Sequence, residues 1–150
     1  MLLAASAVAA SVLVVASARA PAARVVRVEP VAGTPQSATA YVAPDAVRYL
    51  TEFPRLLVVR VSGPNPKTLE KRHVRFTCVT PGCVLAPADE PDGVERATPA
   101  AYTVEVDKGR ASLRVIVSSG RAVGTYIISA VPEVEKGERS VPASFVLTSR

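Results

Sequence analysis

Residues 102–118 read Tyr102-Thr103-Val104-Glu105-Val106-Asp107-Lys108-Gly109-Arg110-Ala111-Ser112-Leu113-Arg114-Val115-Ile116-Val117-Ser118. Two runs of alternating apolar and polar residues flank a turn signal, Asp107-Lys108-Gly109. Successive side chains of a strand point to opposite faces, so this spacing gives two half-buried ribbons; a helix would need apolar positions three and four apart. The same rule holds in Val74-Arg75-Phe76-Thr77-Cys78, in Tyr126, Ile128 and Ala130, and in Phe145 and Leu147. Residues 55–62 (RLLVVRVS) are more uniformly apolar, the pattern of a central strand buried on both sides.

Turn signals stand between the runs: Gly63-Pro64-Asn65-Pro66, Pro81-Gly82, Pro91-Asp92-Gly93, Ser119-Gly120 and Lys136-Gly137. The predicted strands are 24–28, 38–43, 55–62, 72–79, 100–107, 110–118, 124–131 and 142–148. No stretch beyond the N-terminal run keeps a helical period. About seven or eight short strands at this spacing predict an all-β antiparallel sandwich. Its expected core is Val74, Phe76, Val104, Val106, Leu113, Val115, Val117, Tyr126, Ile128, Phe145 and Leu147. The less regular segment from Tyr41 to Phe53 reads as a loop or short helix. Its aromatics, Tyr41, Tyr49 and Phe53, form either an interaction patch or a cap on one end of the sandwich, and the cap is the preferred reading.

The chain has 150 residues, room for one main domain. Residues 2–18 (LLAASAVAASVLVVASA) carry no charge. The run is shorter than the roughly 20 apolar residues of a spanning helix, and Ala16-Ser17-Ala18 suits signal peptidase. The expectation is a signal helix over 1–18, cleaved after Ala18, then a linker with a first strand over 19–37 and the sandwich over 38–150. Cleavage after Ala20, an uncleaved N-terminal anchor and a start upstream of Met1 are the alternatives, since no Lys or Arg precedes Leu2. The expected location is the periplasm or the outside of the cell, with membrane contact only transiently through the signal segment.

Export suits the cysteines. Cys78-Val79-Thr80-Pro81-Gly82-Cys83 holds both cysteines of the chain, and Pro81-Gly82 fits the centre of a type II turn. The fold-back predicts a structural disulfide between Cys78 and Cys83, worth about 2 kcal/mol for so small a loop. A thioredoxin-type pair would have two intervening residues, and a zinc site would need more ligands than His73 can add.

Asp107-Lys108-Gly109-Arg110-Ala111-Ser112-Leu113, followed by Gly124-Thr125-Tyr126-Ile127-Ile128-Ser129-Ala130, resembles the closing half of bacterial immunoglobulin-like domains of the invasin and intimin type. Val74-Arg75-Phe76 after a Pro-rich loop resembles their middle strand, so the similarity covers residues 55–148. It implies an immunoglobulin-like sandwich and a binding or spacer module, with no ligand assigned. The chain departs from such modules in standing as one rather than an array. It also lacks the Trp and inter-sheet disulfide of antibody domains. Gly124-x-Tyr126-x-Ile128 keeps the spacing of a tyrosine corner, and the other reading of Tyr126 is a half-buried strand aromatic.

Few groups are available for chemistry. His73, the single imidazole, sits in sequence among Lys67, Lys71, Arg72 and Arg75, and reads as an exposed strand or loop residue rather than a catalytic one. Lys67, Lys71, Arg72 and Arg75 form a possible anion-binding patch, against which stands ordinary solvated charge. No aromatic platform accompanies them, so no nucleic acid is expected. The acidic run Asp89-Glu90-Pro91-Asp92-Gly93-Val94-Glu95 lacks calcium-loop spacing and reads as an exposed turn. No catalytic residue, metal or cofactor is assigned. The expected function is an exported, non-catalytic module, structural or binding another envelope or extracellular protein. The alternative is a carbohydrate- or anionic-surface-binding protein using residues 67–75, and a small hydrolase is the least favoured reading.

Overall fold

The computed structural model describes residues 24–87 and 101–150. The expected signal helix over 1–18 and its cleavage site, the part of the expected linker before Arg24, the acidic run 89–95 and residue 100 lie outside the described residues. Those described form thirteen strands and one short 3-10 turn, Pro66–Thr68, so the all-β expectation is met.

One sheet has the order β12 (Glu138–Val141), β1 (Arg24–Ala32), β5 (Leu57–Ser62), β9 (Arg110–Leu113). A second has the order β3 (Tyr41–Val42), β4 (Tyr49–Glu52), β10 (Val115–Ser119), β7 (Cys83–Pro87). The third has five strands in the order β2 (Gln36–Ala38), β13 (Ala143–Ser149), β11 (Gly124–Pro132), β6 (His73–Cys78), β8 (Ala101–Glu105). The first two sheets are joined where the chain runs on from β9 to β10 at Arg114 and from β4 to β5, with the Phe53 N–H donating to the Val115 carbonyl at 3.0 Å. Pairing is antiparallel except for β1 with β12 and β2 with β13, which are parallel. The largest ladder sets Tyr126 against Leu147 and Ile128 against Phe145.

The inward faces of all three sheets meet in one apolar cluster, which includes Val26, Leu57 and Val59 of the first sheet, Leu85 and Val117 of the second, and Phe76, Ile128 and Phe145 of the third. Phe76 and Phe145 lie with ring centres 6.2 Å apart, tilted by 40°, within the range favoured by aromatic pairs. Every residue expected in the core is buried except Val104, which is half-buried and packed against it. This follows from alternation: the one ribbon face that is apolar is the one that closes inward.

Several expected boundaries are corrected. The run 55–62 is not buried on both sides, because Arg60 and Ser62 face solvent along β5. The doubly buried strand is β10, all five of whose residues are enclosed. The expected strand 110–118 is two strands, β9 and β10, in different sheets. The expected strand 38–43 is replaced by β2 and β3, and Tyr49–Glu52 is a strand rather than a loop or helix. Strands β7 and β12 lie where no strand was expected. Gly33 takes φ +92 and packs so closely that a Cβ would fall 2.2 Å from the Leu56 carbonyl oxygen, which leaves glycine as the residue that fits. The buried Gln36 amide fastens this corner, with Nε2 donating to the carbonyls of Gly33 at 2.8 Å and Arg55 at 3.0 Å.

Candidate functional site

Alternation along β6 sends Val74 and Phe76 into the core and leaves His73 and Arg75 on the outer face of the five-stranded sheet. The register then builds rows across that face. Arg75 lies between Thr103 of β8 and Val131 of β11. His73 is opposite Glu105, and on its other side the Glu133 N–H donates to the His73 carbonyl at 2.8 Å. His73, Arg75, Thr103, Val131, Pro132 and Glu133 line an open groove of about 380 Å³. Its lining is apolar at the exposed Val131 and the buried Pro132, and carries both signs of charge at Arg75 and Glu133.

Glu133 is fixed in this groove from His73. Its Oε2 accepts the His73 backbone N–H at 2.9 Å and lies 3.2 Å from Nδ1 of the ring. That backbone N–H first, and the imidazole second, hold the Glu133 carboxyl below the ordinary carboxylate range. The sequence neighbours of His73 are therefore not its closest partners: a carboxylate, not Lys71 or Arg72, sits against the ring. Both side chains are about half exposed, at 48 % and 55 %, so water screens the pair and its worth is small. Among the described residues no hydroxyl or thiol is hydrogen-bonded to the imidazole, and there is no group of three His, Cys, Asp or Glu placed to hold a metal.

The four cations of the basic segment are separated by the fold. Lys67 lies in the 3-10 turn whose start is capped by Asn65, the Oδ1 of which accepts the Lys67 N–H at 3.2 Å. Lys71 is exposed at φ +64. Arg75 belongs to the groove. Arg72 is buried: Nη1 donates to Glu138 Oε2 at 2.6 Å, Nη2 to Glu138 Oε1 at 3.2 Å, and Nε to the Thr68 carbonyl at 2.6 Å. This fork-on-fork pairing reinforces the Arg72 charge and holds the Glu138 carboxyl below its ordinary range. Arg72 thus ties the turn before β6 to β12, and its guanidinium is not offered to an external anion. Glu138 stands 66 positions away in sequence, so only the folded chain shows the pairing.

Cys78 and Cys83 are disulfide-bonded, with Cα atoms 6.0 Å apart. The turn between them has Gly82 at φ +73 and a Cys83 N–H donating to the Thr80 carbonyl at 3.3 Å, as the Pro81-Gly82 pair implies. The flanking strands do not form a hairpin. β6 pairs with β11 and β7 with β10, so the bond joins two sheets at a corner. Tyr126 is buried, and its hydroxyl lies 2.6 Å from Ser119 Oγ and donates to the Arg121 carbonyl at 3.4 Å. Tyr41, Tyr49 and Phe53 form no common patch: Tyr41 is exposed, Tyr49 half-buried and Phe53 wholly within the core.

No family model, curated protein or solved structure matches this chain.

Proposed function

We propose that the chain is an exported, non-catalytic immunoglobulin-like module with a structural or protein-binding role in the cell envelope or outside the cell. The observation that carries this reading is the strand order. One side runs β1, then β4 with β5, then β9 with β10, then β7; the other runs β13, β11, β6. This order agrees with the A-B-E-D against C-F-G arrangement of an immunoglobulin sandwich and supports the reading. β2 adds a parallel strand beside β13, and β8 adds one beyond β6. β8 departs from the usual pattern, because it lies between β7 and β9 in the chain.

The interior polar groups support a scaffold. The Tyr126 hydroxyl, the Gln36 amide and the Arg72 guanidinium all bond to this chain's own groups, and no buried side-chain polar atom among the described residues lacks a partner. The binding face in this reading is the outer face of the five-stranded sheet, where the groove offers Val131 to an apolar side chain and Arg75 to an acidic one. The tagged protein, cross-linked in the envelope fraction, tests it. A partner captured by the native chain and lost with Arg75→Glu or Val131→Asp is the expected result. Capture that both variants leave intact, or no partner at all, overturns the protein-binding reading.

A further inference from the structure

A second cluster of charge, away from the groove on the five-stranded sheet, lies on the outer face of the sheet β12-β1-β5-β9. There Val26, Val28, Val59, Val61 and Ala111 point inward, so their neighbours Arg27, Arg60 and Arg110 point out, joined by Arg139 of β12. The register sets Arg60 directly opposite Arg110 on one side and Glu29 on the other. Arg27 lies opposite Ser62, and Arg139 beside Val25. Glu29 is the one carboxylate on these strands' outer face. It is taken by Arg60, whose Nη2 donates to its Oε2 at 2.8 Å and holds its carboxyl below the ordinary range. No carboxylate of the described residues is within ion-pair distance of Arg27, Arg110 or Arg139.

Two arginines directly across a strand pair repel each other. Nothing in the interior requires the arrangement, since all four side chains are exposed. We propose that this face binds an acidic polysaccharide laid across the strands. Neighbouring strands are about 4.8 Å apart, so a chain running obliquely from Arg110 on β9, past Ser62 on β5, to Arg27 on β1 and Arg139 on β12 avoids Glu29, which Arg60 holds, and a linear polyanion can place acid groups near the unpaired arginines. Guanidinium is the cation suited to planar, two-pronged recognition of carboxylate or sulfate. Exposed Ser62 and Ser112 stand among the arginines to meet sugar hydroxyls. Among the described residues the strands of this face carry no aromatic ring to stack on a base, and the exposed Leu56 sits at its edge beside Ser112, away from Arg27, which favours a polysaccharide over a nucleic acid and leaves the lipid surface to the vesicle arm of the test.

The test is retention of the purified chain on immobilised heparin and on polygalacturonate, with anionic phosphatidylglycerol vesicles and duplex DNA as parallel arms. Arg27→Ser/Arg110→Ser is expected to lower affinity at least tenfold and to reduce the slope of log affinity against log salt by about two, one for each cation removed. Lys67→Ser/Lys71→Ser is expected to leave retention within twofold of the native chain. An unchanged melting temperature in each variant separates lost binding from lost folding, and Arg110→Lys, keeping charge without the fork, should give an intermediate loss. Equal retention of Arg27→Ser/Arg110→Ser and the native chain overturns the proposal. Binding to vesicles or DNA as tight as to either polysaccharide does so too.

Discussion

The disulfide offers the most exacting test of the packing. Cys78 and Cys83 are five positions apart, so the bond closes a loop of six residues. Closing a loop that small removes about 7 cal/mol/K from the unfolded chain, or about 2 kcal/mol at 25 °C. In the folded chain little else depends on it. Cys78 keeps its place opposite Ile128 on β11, and Cys83 keeps its place opposite Ser119 on β10. The double variant Cys78→Ala/Cys83→Ala should therefore fold to the same β structure and lose about 2 kcal/mol, acting through the unfolded state. In urea that is a midpoint lower by about 1 M for a slope near 2 kcal/mol/M, and on heating a melting temperature lower by about 6–10 °C. Equilibrium urea unfolding followed by far-UV circular dichroism, with and without reductant, measures it, and a thiol titration of the native chain should find no free thiol. A midpoint shift below about 0.3 M would show that the link does not restrain the chain. Loss of the β spectrum in the variant would show that the two sheets do not hold together without it, and would refute the claim that each strand is secured by its own ladder.

Other perturbations reach other parts of the fold. Phe76→Ala empties the centre of the core beside Phe145 and should cost about 3–5 kcal/mol, read as unfolding at or near room temperature in the same urea assay. Tyr126→Phe removes a buried hydroxyl shared with Ser119 and Arg121 and should cost about 1 kcal/mol; a double-mutant cycle with Ser119→Ala should then show coupling, and strict additivity would contradict the contact. Gly33→Ala drives a methyl into the Leu56 carbonyl at a φ that alanine avoids, and should cost more than about 3 kcal/mol, whereas Gly120→Ala, with open space around it, should be nearly neutral. Because Arg72 holds the folded-state carboxyl of Glu138 below its usual value of 4.5, the pair's contribution is complete above that pH and fades as the pH falls through the depressed value. Glu138→Gln should lower stability at neutral pH and flatten the acid limb of the stability profile, and an unchanged acid limb would speak against the pairing.

The sequence is most transparent where one face of a strand meets the core and the other meets water. β6, β9, β11 and β13 announce themselves because Val74 and Phe76, Ala111 and Leu113, Tyr126 and Ile128, and Phe145 and Leu147 alternate with polar residues. It is opaque where that asymmetry fails. β10 is enclosed on both faces, so alternation places Val115 and Val117 inward but hides both the burial of Ile116 and the break from β9 at Arg114. β7 opens with a cysteine whose burial reflects a bond rather than a face. β12 (Glu138-Arg139-Ser140-Val141) is almost wholly polar, and it is a strand because β1 lies parallel beside it. The candidate groove was half visible: His73 and Arg75 stood out, but Glu133 and Thr103 reach them only through the register of β6 with β11 and β8. The basic run 67–75 illustrates the opposite error. Adjacent charges looked like one patch, yet Arg72 turns inward to Glu138, while the cations that do share a surface, Arg27, Arg60, Arg110 and Arg139, come from four separate strands.

The fold is defined by which strands are neighbours, above all by β2 running parallel to β13 while β6 and β7 part into different sheets. Cross-strand proton–proton contacts in an isotope-labelled sample read this directly. The predicted spectrum links Gln36 with Leu147, Val59 with Ala111 and Thr77 with Ser129, and shows no ladder between residues 73–78 and 83–87. A ladder joining those two segments as a hairpin, with no contact between residues 36–38 and 147–149, would contradict it.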